Sequence, residues 1–257
     1  MARSALGFSC DQAFFEGDGM MGYGQYCPLA QASQVLCERW TLLVVRELIA
    51  GSTRFNELRR GVPLMSPTLL SRRLKQLETA GVIRRRRTNK DISYELTRAG
   101  EELRPVVELL GAWGHRWVRT RLGSEDLDAG LLMWDMRRSV NPARFPERRV
   151  VVQFNYVDAP RGARDWWLVS KSREIDLCLS DPGYELDLLI RSSLAAMTAV
   201  WTCQVPFRDA ERRGDIEVTG DPGLARKLPD WLRASPLSRL GALHEPPDVV
   251  WADIGRA

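Results

Sequence analysis

The stretch SPTLLSRRLKQLETAGVIRRRRTNK, residues 66–90, is the part of the sequence that best indicates the fold of the first half of the chain. It holds eight Arg or Lys residues against a single acidic residue, Glu78. A helix is expected to begin here, because Ser66 is a good N-cap and Pro67 suits the first helical position, where no backbone N–H is needed. Gly81 is expected to mark its end. What the positive charges can do then depends on the face of the helix they occupy.

Three leucines of this predicted helix form one apolar stripe. Leu70, Leu74 and Leu77 recur at i, i+4 and i+7, the spacing that places side chains on one face of an α-helix. The stripe is therefore expected to pack in a core, which leaves the basic residues on the outer face. That outer face comprises Thr68, Ser71, Arg72 and Lys75, with Arg73 and Gln76 near its flank.

The neighbouring segments predict the rest of a small domain. Upstream, helices are expected from Pro28 and through TLLVVRELIAG (41–51), and a short helix from Phe55 to Arg60 precedes a turn that holds Gly61 and Pro63. Downstream, VIRRRRTNKDISYELT (82–97) alternates like two strands around a turn at 88–91. Two short helices, a tight turn, an amphipathic second helix and a basic hairpin indicate a winged helix-turn-helix, whose second helix enters the major groove of DNA.

Double-stranded DNA is therefore the expected partner. Arg and Lys side chains neutralise phosphates and release counterions, so the affinity should fall with salt; the wing would position the protein and the helix would read bases. The alternative is an ordinary solvated surface on which some arginines pair with Glu78 and Glu95. The candidate DNA-contacting residues are Arg54, Ser66, Thr68, Ser71, Arg72, Arg73, Lys75, Arg85, Arg87, Asn89 and Lys90.

The excess of positive charge lies in the first half of the chain, which is where an acidic partner such as DNA is expected to bind. The 257 residues have a formal net charge of +4, but residues 1–122 carry 19 Lys or Arg against 12 Asp or Glu, net +7, and the remainder is net −3. Nearly apolar runs such as Thr41 to Val45 are too short to span a bilayer, so membrane insertion is not expected. Residues 1–26, rich in glycine, are predicted to form a flexible arm.

The five cysteines predict neither a disulfide framework nor a zinc site. They include no CxxC pair and lie near no histidine cluster, which fits a reducing cytoplasm. The chain has two histidines, His115 and His244, and no nucleophile elbow, phosphate-binding glycine loop or metal-spaced ligand set. No enzyme activity and no cofactor are expected.

Residues 27–118 resemble the HxlR-type winged-helix regulators, relatives of the MarR group. The resemblance is carried by YGQYCPLAQASQVLCERWTLLVVREL (23–48), RFNELRRGVPLMSPTLLSRRLKQLETAGVIRRR (54–86) and SYELTRAGEELRPVVELLGAWGHRW (93–117). It implies a homodimeric bacterial transcription regulator that binds a pseudo-palindromic operator, with residues 27–121 as the DNA-binding and dimerisation domain.

An apolar helix after the wing also predicts a dimer. The helix is expected to run from Thr97, as N-cap, to about Val118, and it carries more apolar surface than a small winged domain can cover. Burial against a symmetry mate would place two recognition helices about one DNA turn apart, whereas the alternative is packing on a second domain. The predicted dimerisation residues are Leu103, Val106, Val107, Leu110, Trp113 and Trp117.

A second domain is expected at 131–257, after a polar linker at 122–130. The predicted elements are a helix in LLMWDMRRSV (131–140), strands in RRVVVQFNYVD (148–158) and DWWLVSKSREIDLCLSDPG (165–183), one strong helix across ELDLLIRSSLAAMTAVWTCQV (185–205), and a strand with a last helix in GDIEVTGDPGLARKLPDWL (214–232).

This order resembles the sterol-carrier-protein type 2 fold, an α+β layer that encloses an apolar cavity. The predicted fold class is therefore α+β, with an N-terminal winged helix-turn-helix domain followed by a sterol-carrier-like domain. The resemblance implies a small hydrophobic effector. The candidate lining residues are Leu131, Trp134, Phe154, Trp166, Trp167, Leu189, Met197 and Trp201, although an apolar residue in such a domain is more often plain core.

The leading hypothesis is a regulator, either repressor or activator, that such an effector controls. One alternative is a thiol sensor, because Cys27 matches the position where some members of the HxlR group carry an oxidant-sensitive thiol, and a helix N-terminus favours the thiolate. Another is a lipid carrier whose winged domain only dimerises.

Overall fold

The first part of the chain is a winged helix-turn-helix. The computed structural model describes residues 23–87, 91–118, 127–232 and 234–242. Its first elements are the helices α1 (Pro28–Leu36), α2 (Thr41–Ile49), α3 (Phe55–Gly61) and α4 (Pro67–Thr79) and the antiparallel strands β1 (Ile83–Arg87) and β2 (Ile92–Leu96). The order of helices and hairpin predicted from the sequence is confirmed, while its basic tip at 88–90 lies outside the described residues.

Local signals account for the position of α4. The Ser66 hydroxyl accepts a hydrogen bond from the Leu69 N–H at 3.3 Å, Pro67 follows at the first helical position, and Gly81 has a positive φ of 71° just beyond the end. The predicted stripe of Leu70, Leu74 and Leu77 is buried in the domain core. The helix is therefore anchored by one face only.

The chain after the wing forms two helices, where one was predicted. Thr97 is an N-cap as expected, since its hydroxyl accepts from the Gly100 N–H at 3.2 Å, but it caps only the short α5 (Arg98–Glu101). The longer α6 (Arg104–Trp117) begins afresh with Pro105 in its first turn. Proline lacks the N–H that would continue a helix, so the element breaks there.

The second part of the chain is a five-stranded sheet with helices. Its strands lie in the order β5-β4-β3-β6-β7, and β3 and β6 are parallel while the other neighbours are antiparallel. The elements are α7 (Ala129–Ser139), β3 (Val150–Tyr156), β4 (Asp165–Lys171), β5 (Glu174–Cys178), β6 (Leu188–Ser192), α8 (Leu194–Trp201), α9 (Phe207–Arg213), β7 (Ile216–Gly220), α10 (Pro222–Trp231) and α11 (Pro236–Ala242).

One prediction for this part is wrong. The segment 185–205 was expected to be a single helix, but its first half is β6, which lies between β3 and β7. A short apolar run suits a fully buried strand as well as a helix, and its pairing partners are distant in sequence. The helix α8 begins only at Leu194, where the Ser193 hydroxyl accepts from the Ala196 N–H at 3.0 Å.

Two clusters of buried apolar side chains lie on either side of the predicted linker. One combines α2, α3, α4 and the wing, and the other combines α7 with the sheet and α8 to α10. The helix α11 follows the second cluster in sequence but lies against the first half of the chain. It packs along α6, where Leu237 contacts the backbone at Gly111 and Gly241 lies against His115. The last described helix of the chain thus returns to the first half.

Candidate nucleic-acid interface

The outer face of α4 is open to solvent, as the leucine stripe predicted. Thr68, Ser71, Arg72 and Lys75 are all exposed. Ser66 is exposed too, although its hydroxyl is used as the N-cap. An exposed polar and basic face on the second helix of a helix-turn-helix is the surface that enters the major groove.

Arg73 does not belong to this face, which corrects the sequence prediction. Its side chain is buried and forms an ion pair with Glu38. The guanidinium also donates to the Arg39 carbonyl at 3.2 Å and to the Gln76 side chain at 2.6 Å. Because these contacts use the charge inside the domain, Arg73 is a structural residue and we remove it from the DNA-contacting set.

The four arginines of the wing divide into two pairs. Arg84 and Arg86 both bind the Glu95 carboxylate, at 2.9 and 2.7 Å. Side chains alternate along a strand, so Arg85 and Arg87 face the other way. Both are exposed, and no carboxylate of the described chain pairs with them. Glu95 therefore neutralises the arginines on one face of β1, as the alternative hypothesis predicted. The arginines on the other face, Arg85 and Arg87, keep their charge available for a partner.

The beginning of α3 is attached to the wing. The Tyr94 N–H donates to the Thr53 carbonyl at 2.8 Å, and Arg54 pairs with Ser93 through an isolated backbone bridge. The exposed Arg54 guanidinium contacts Asp91 at 3.1 Å. Arg54 is thus held beside the hairpin, while the other predicted wing contacts, Asn89 and Lys90, lie outside the described residues.

The predicted dimerisation residues have different positions on α6 and before it. Val107 is buried and Leu103 partly buried in the core of the winged domain, so neither can contribute much to a dimer, which corrects their assignment. Trp117 is partly buried. Val106, Leu110 and Trp113 are exposed, and so is Leu109, with 69% of its surface accessible, which the sequence analysis missed. These four residues form the apolar face of α6.

The candidate effector residues lie mostly inside the second core. Trp134, Phe154, Trp166, Met197 and Trp201 are buried there or beside it, whereas Leu131, Trp167 and Leu189 are partly exposed. A cleft of about 420 Å³ lies elsewhere, at the start of α10, and shares none of these residues. Its lining residues are Pro146, Arg148, Asp221, Gly223, Leu224, Arg226 and Lys227.

Cys27 is exposed immediately before α1. Hydrogen bonds from the backbone N–H groups of Ala30 and Leu29 lower the pKa of its thiol below the ordinary value. Burial raises the pKa of the Cys203 thiol, although Arg239 opposes this shift. Of these two thiols, Cys27 has the greater tendency to form a thiolate.

The described residues hold neither a metal-binding cluster nor a membrane-spanning helix. They contain no cluster of three or more His, Cys, Asp or Glu side chains that could hold a metal ion. Within the same ranges, no helix combines the length and apolar character needed to cross a membrane.

Comparison with known proteins assigns the first half of the chain. Residues 35–121 match the family described as HxlR-like helix-turn-helix. The uncharacterized HTH-type transcriptional regulator YvaP of Bacillus subtilis is 36% identical over 102 residues, which cover 38% of this chain and 94% of YvaP. The HTH-type transcriptional regulator YodB of the same organism is 32% identical over 95 residues, which cover 35% of this chain and 85% of YodB.

A solved structure, the reduced form of the transcriptional regulator YodB from B. subtilis, aligns with 28% identity and a TM-score of 0.33, and covers 37% of this chain and 97% of that one. The matched region holds α4 and the wing, whose exposed basic side chains form the candidate interface. Through residues 35–121, the chain belongs to the HxlR-like helix-turn-helix family, and the relatives it matches are transcriptional regulators.

Proposed function

We propose that the protein is a homodimeric transcription regulator that binds a pseudo-palindromic operator and is controlled by a small hydrophobic molecule held in its C-terminal domain. The observation that carries the DNA-binding part is the combination of the exposed Arg72 and Lys75 on α4 with Arg85 and Arg87 on the adjacent wing. Such a surface can read base edges with the helix and contact phosphates with the hairpin.

The apolar face of α6 supports the dimer. Val106, Leu109, Leu110 and Trp113 present adjacent exposed apolar side chains on one helix, and a patch of this kind marks an interaction site. A second copy related by a twofold axis would bury the same face on both protomers and set two copies of α4 at a fixed spacing. Residues 27–121 would then form the DNA-binding and dimerisation domain.

The order of elements after α6 supports an effector domain. A helix, three antiparallel strands, a crossover to a strand parallel to β3, two helices, a strand and another helix follow one another. This arrangement agrees with the order on which the sterol-carrier resemblance rests. We assign residues 131–257 to this domain, except for α11.

Fluorescence anisotropy tests this proposal. A labelled duplex of the intergenic DNA upstream of the protein's own gene is titrated at two salt concentrations, with and without an extract of small hydrophobic metabolites. Salt-sensitive binding that the extract changes is the expected result. Binding that the extract leaves unchanged contradicts the effector role, and no binding to this duplex or to a genomic fragment library contradicts the regulator and favours a carrier.

A second candidate function is favoured by the geometry of Cys27. Its exposed thiol has a lowered pKa and lies before the first helix of the winged domain, so its oxidation could control DNA binding. In the same assay, Cys27→Ser would abolish a response to diamide if this thiol were the sensor, whereas an unchanged response excludes it.

A further inference from the structure

Four charged side chains, two of them buried and two partly exposed, join the two halves of the chain. Glu47 of α2 is completely buried, and its carboxylate accepts hydrogen bonds from Arg138 of α7 and from Arg46. Arg138 also binds Asp135 at 2.8 Å. Two carboxylates and two guanidiniums thus neutralise one another between the winged domain and the C-terminal domain. We call these four residues the charged joint.

The charged joint reaches the turn of the helix-turn-helix. Arg46, which binds Glu47 at 2.8 Å, also donates to the Gly61 carbonyl at 2.9 Å. Gly61 is the last residue of α3, and the turn that leads to α4 begins directly after it. A Cβ atom at Gly61 would overlap the Glu47 carboxylate, so the turn and the carboxylate are in direct contact. Any displacement of Glu47 must therefore move Arg46 or the backbone at Gly61.

On its other side, the charged joint reaches the core of the C-terminal domain. Arg138 binds one carboxylate oxygen of Asp135, Oδ1, and the other, Oδ2, accepts a hydrogen bond from the Trp201 indole N–H at 2.7 Å. Trp201 is buried on α8 and is one of the candidate effector contacts. A continuous series of polar contacts thus runs from this indole to the turn before α4.

A second contact holds the same two surfaces together. The guanidiniums of Arg60 on α3 and Arg137 on α7 each stack over the Trp134 ring of α7, 5.2 Å from its centroid. Cation–π contacts of desolvated rings are favourable. Because Arg60 immediately precedes Gly61, this contact also fixes the end of α3 against the C-terminal domain.

We propose that Arg138 is a positioning residue for DNA recognition, which acts through Glu47 and Arg46 to hold the turn that orients α4. The C-terminal domain thereby sets the position of the recognition helix from within one chain, without contact to DNA. Loss of Arg138 leaves a buried carboxylate without its main partner, which is strongly unfavourable. Glu47 must then seek water or another donor, and the turn loses its support. The inference rests on the proposed role of α4 in DNA binding.

Hydrogen exchange of the full-length chain tests the proposal without DNA or effector. The amides of Val62 and Met65 form the hydrogen bonds of the turn, to Arg59 and Val62. In Arg138→Met we expect a peptide covering residues 61–66 to exchange at least tenfold faster, while peptides of β3 and β6 are unchanged. The control is Arg212→Met, which removes the same charge from an exposed pair with Asp209 in the same domain, and it should leave the turn unchanged.

Unchanged exchange of the turn in folded Arg138→Met overturns the proposal. If that variant does not fold, the double variant Glu47→Gln with Arg138→Met removes both charges together and is measured instead, with the same two outcomes. The duplex affinity is measured in parallel and should fall at least fivefold in Arg138→Met. A wild-type protein that binds no duplex overturns the proposed function alone, since the exchange result is obtained independently of it.

Discussion

Arg73, in the middle of α4, has a buried side chain that forms an ion pair with the partly exposed Glu38, which lies between α1 and α2. The recognition helix thus carries one arginine that faces inward beside arginine and lysine residues that face solvent. This pair attaches α4 to the start of the domain, so the two kinds of charge should respond differently to mutation.

The first prediction separates stability from DNA binding. Arg73→Met should lower the free energy of unfolding by about 1–3 kcal/mol, because hydrogen bonds to a charged group are lost and Glu38 is left without its partner. Arg72→Met, on the exposed face, should change it by less than about 0.5 kcal/mol. Urea unfolding of both variants measures the difference, and equal effects would show that Arg73 is not structural.

The second prediction concerns the division of labour on DNA. Arg72→Ala should reduce discrimination between operator and mismatched duplexes by about 1–3 kcal/mol if this side chain reads a guanine edge. Arg85→Ala should weaken binding to all sequences alike and reduce the salt slope by about 1. Arg84→Ala is the matched control and should reduce the slope less, because Glu95 already neutralises Arg84. Anisotropy at several salt concentrations provides the values.

The third prediction concerns two glycines within helices. Replacement of glycine by alanine inside a helix usually stabilises by about 0.5–1 kcal/mol. Gly114→Ala on α6 should follow this rule, since its added Cβ meets no atom within 4 Å. Gly61→Ala should instead destabilise by about 1–3 kcal/mol, because its Cβ collides with the buried Glu47 carboxylate. Thermal unfolding compares them, and stabilisation by Gly61→Ala would contradict the contact.

The fourth prediction concerns the apolar face of α6. Trp113→Glu should convert the dimer to a monomer, because a charge would be buried at the centre of the proposed interface. Leu179→Glu changes an exposed apolar residue elsewhere, in the C-terminal part, and should leave the dimer intact. Sedimentation equilibrium distinguishes the two states. A Trp113→Glu protein that remains dimeric would place the interface on another surface.

The fifth prediction concerns the reactivity of Cys27. Its lowered pKa means that the thiolate forms at a lower pH than in an unperturbed cysteine, so alkylation by iodoacetamide should reach its plateau at a lower pH. Cys203, whose pKa is raised by burial, should react more slowly at neutral pH. Peptide mass spectrometry after timed labelling gives both rates. Faster labelling of Cys203 would refute the assignment.

Much of the winged domain could be predicted because its signals are local. Ser66, Pro67 and Gly81 mark the ends of α4 within a few residues, and the leucine spacing identifies its buried face. Arg73 was misplaced for a different reason. Helical spacing puts it at the flank of that face, and only the folded chain brings Glu38 close enough to turn its charge inward.

The features that the sequence analysis missed depend on distant partners. The sequence of β6 alone is compatible with half of a helix. It forms a strand because it pairs with β3 and β7, which lie on either side of it. The contact of α11 with α6 joins the last described helix to the first half of the chain, and no local pattern indicates it. The role of Glu47 was likewise not predicted, because its partner Arg138 lies far away in sequence and only the folded chain brings the two together.

The parallel pairing of β3 with β6 has a consequence for biosynthesis. Val152 meets Leu188, so the centre of the C-terminal sheet cannot form until the ribosome has released most of the chain. The winged domain, whose contacts are closer in sequence, can fold first, because near contacts form faster than distant ones. Until α7 docks, the Glu47 carboxylate has Arg46 as a partner but lacks Arg138. During synthesis the recognition helix therefore forms before the Arg138–Glu47 ion pair that is proposed to fix its orientation.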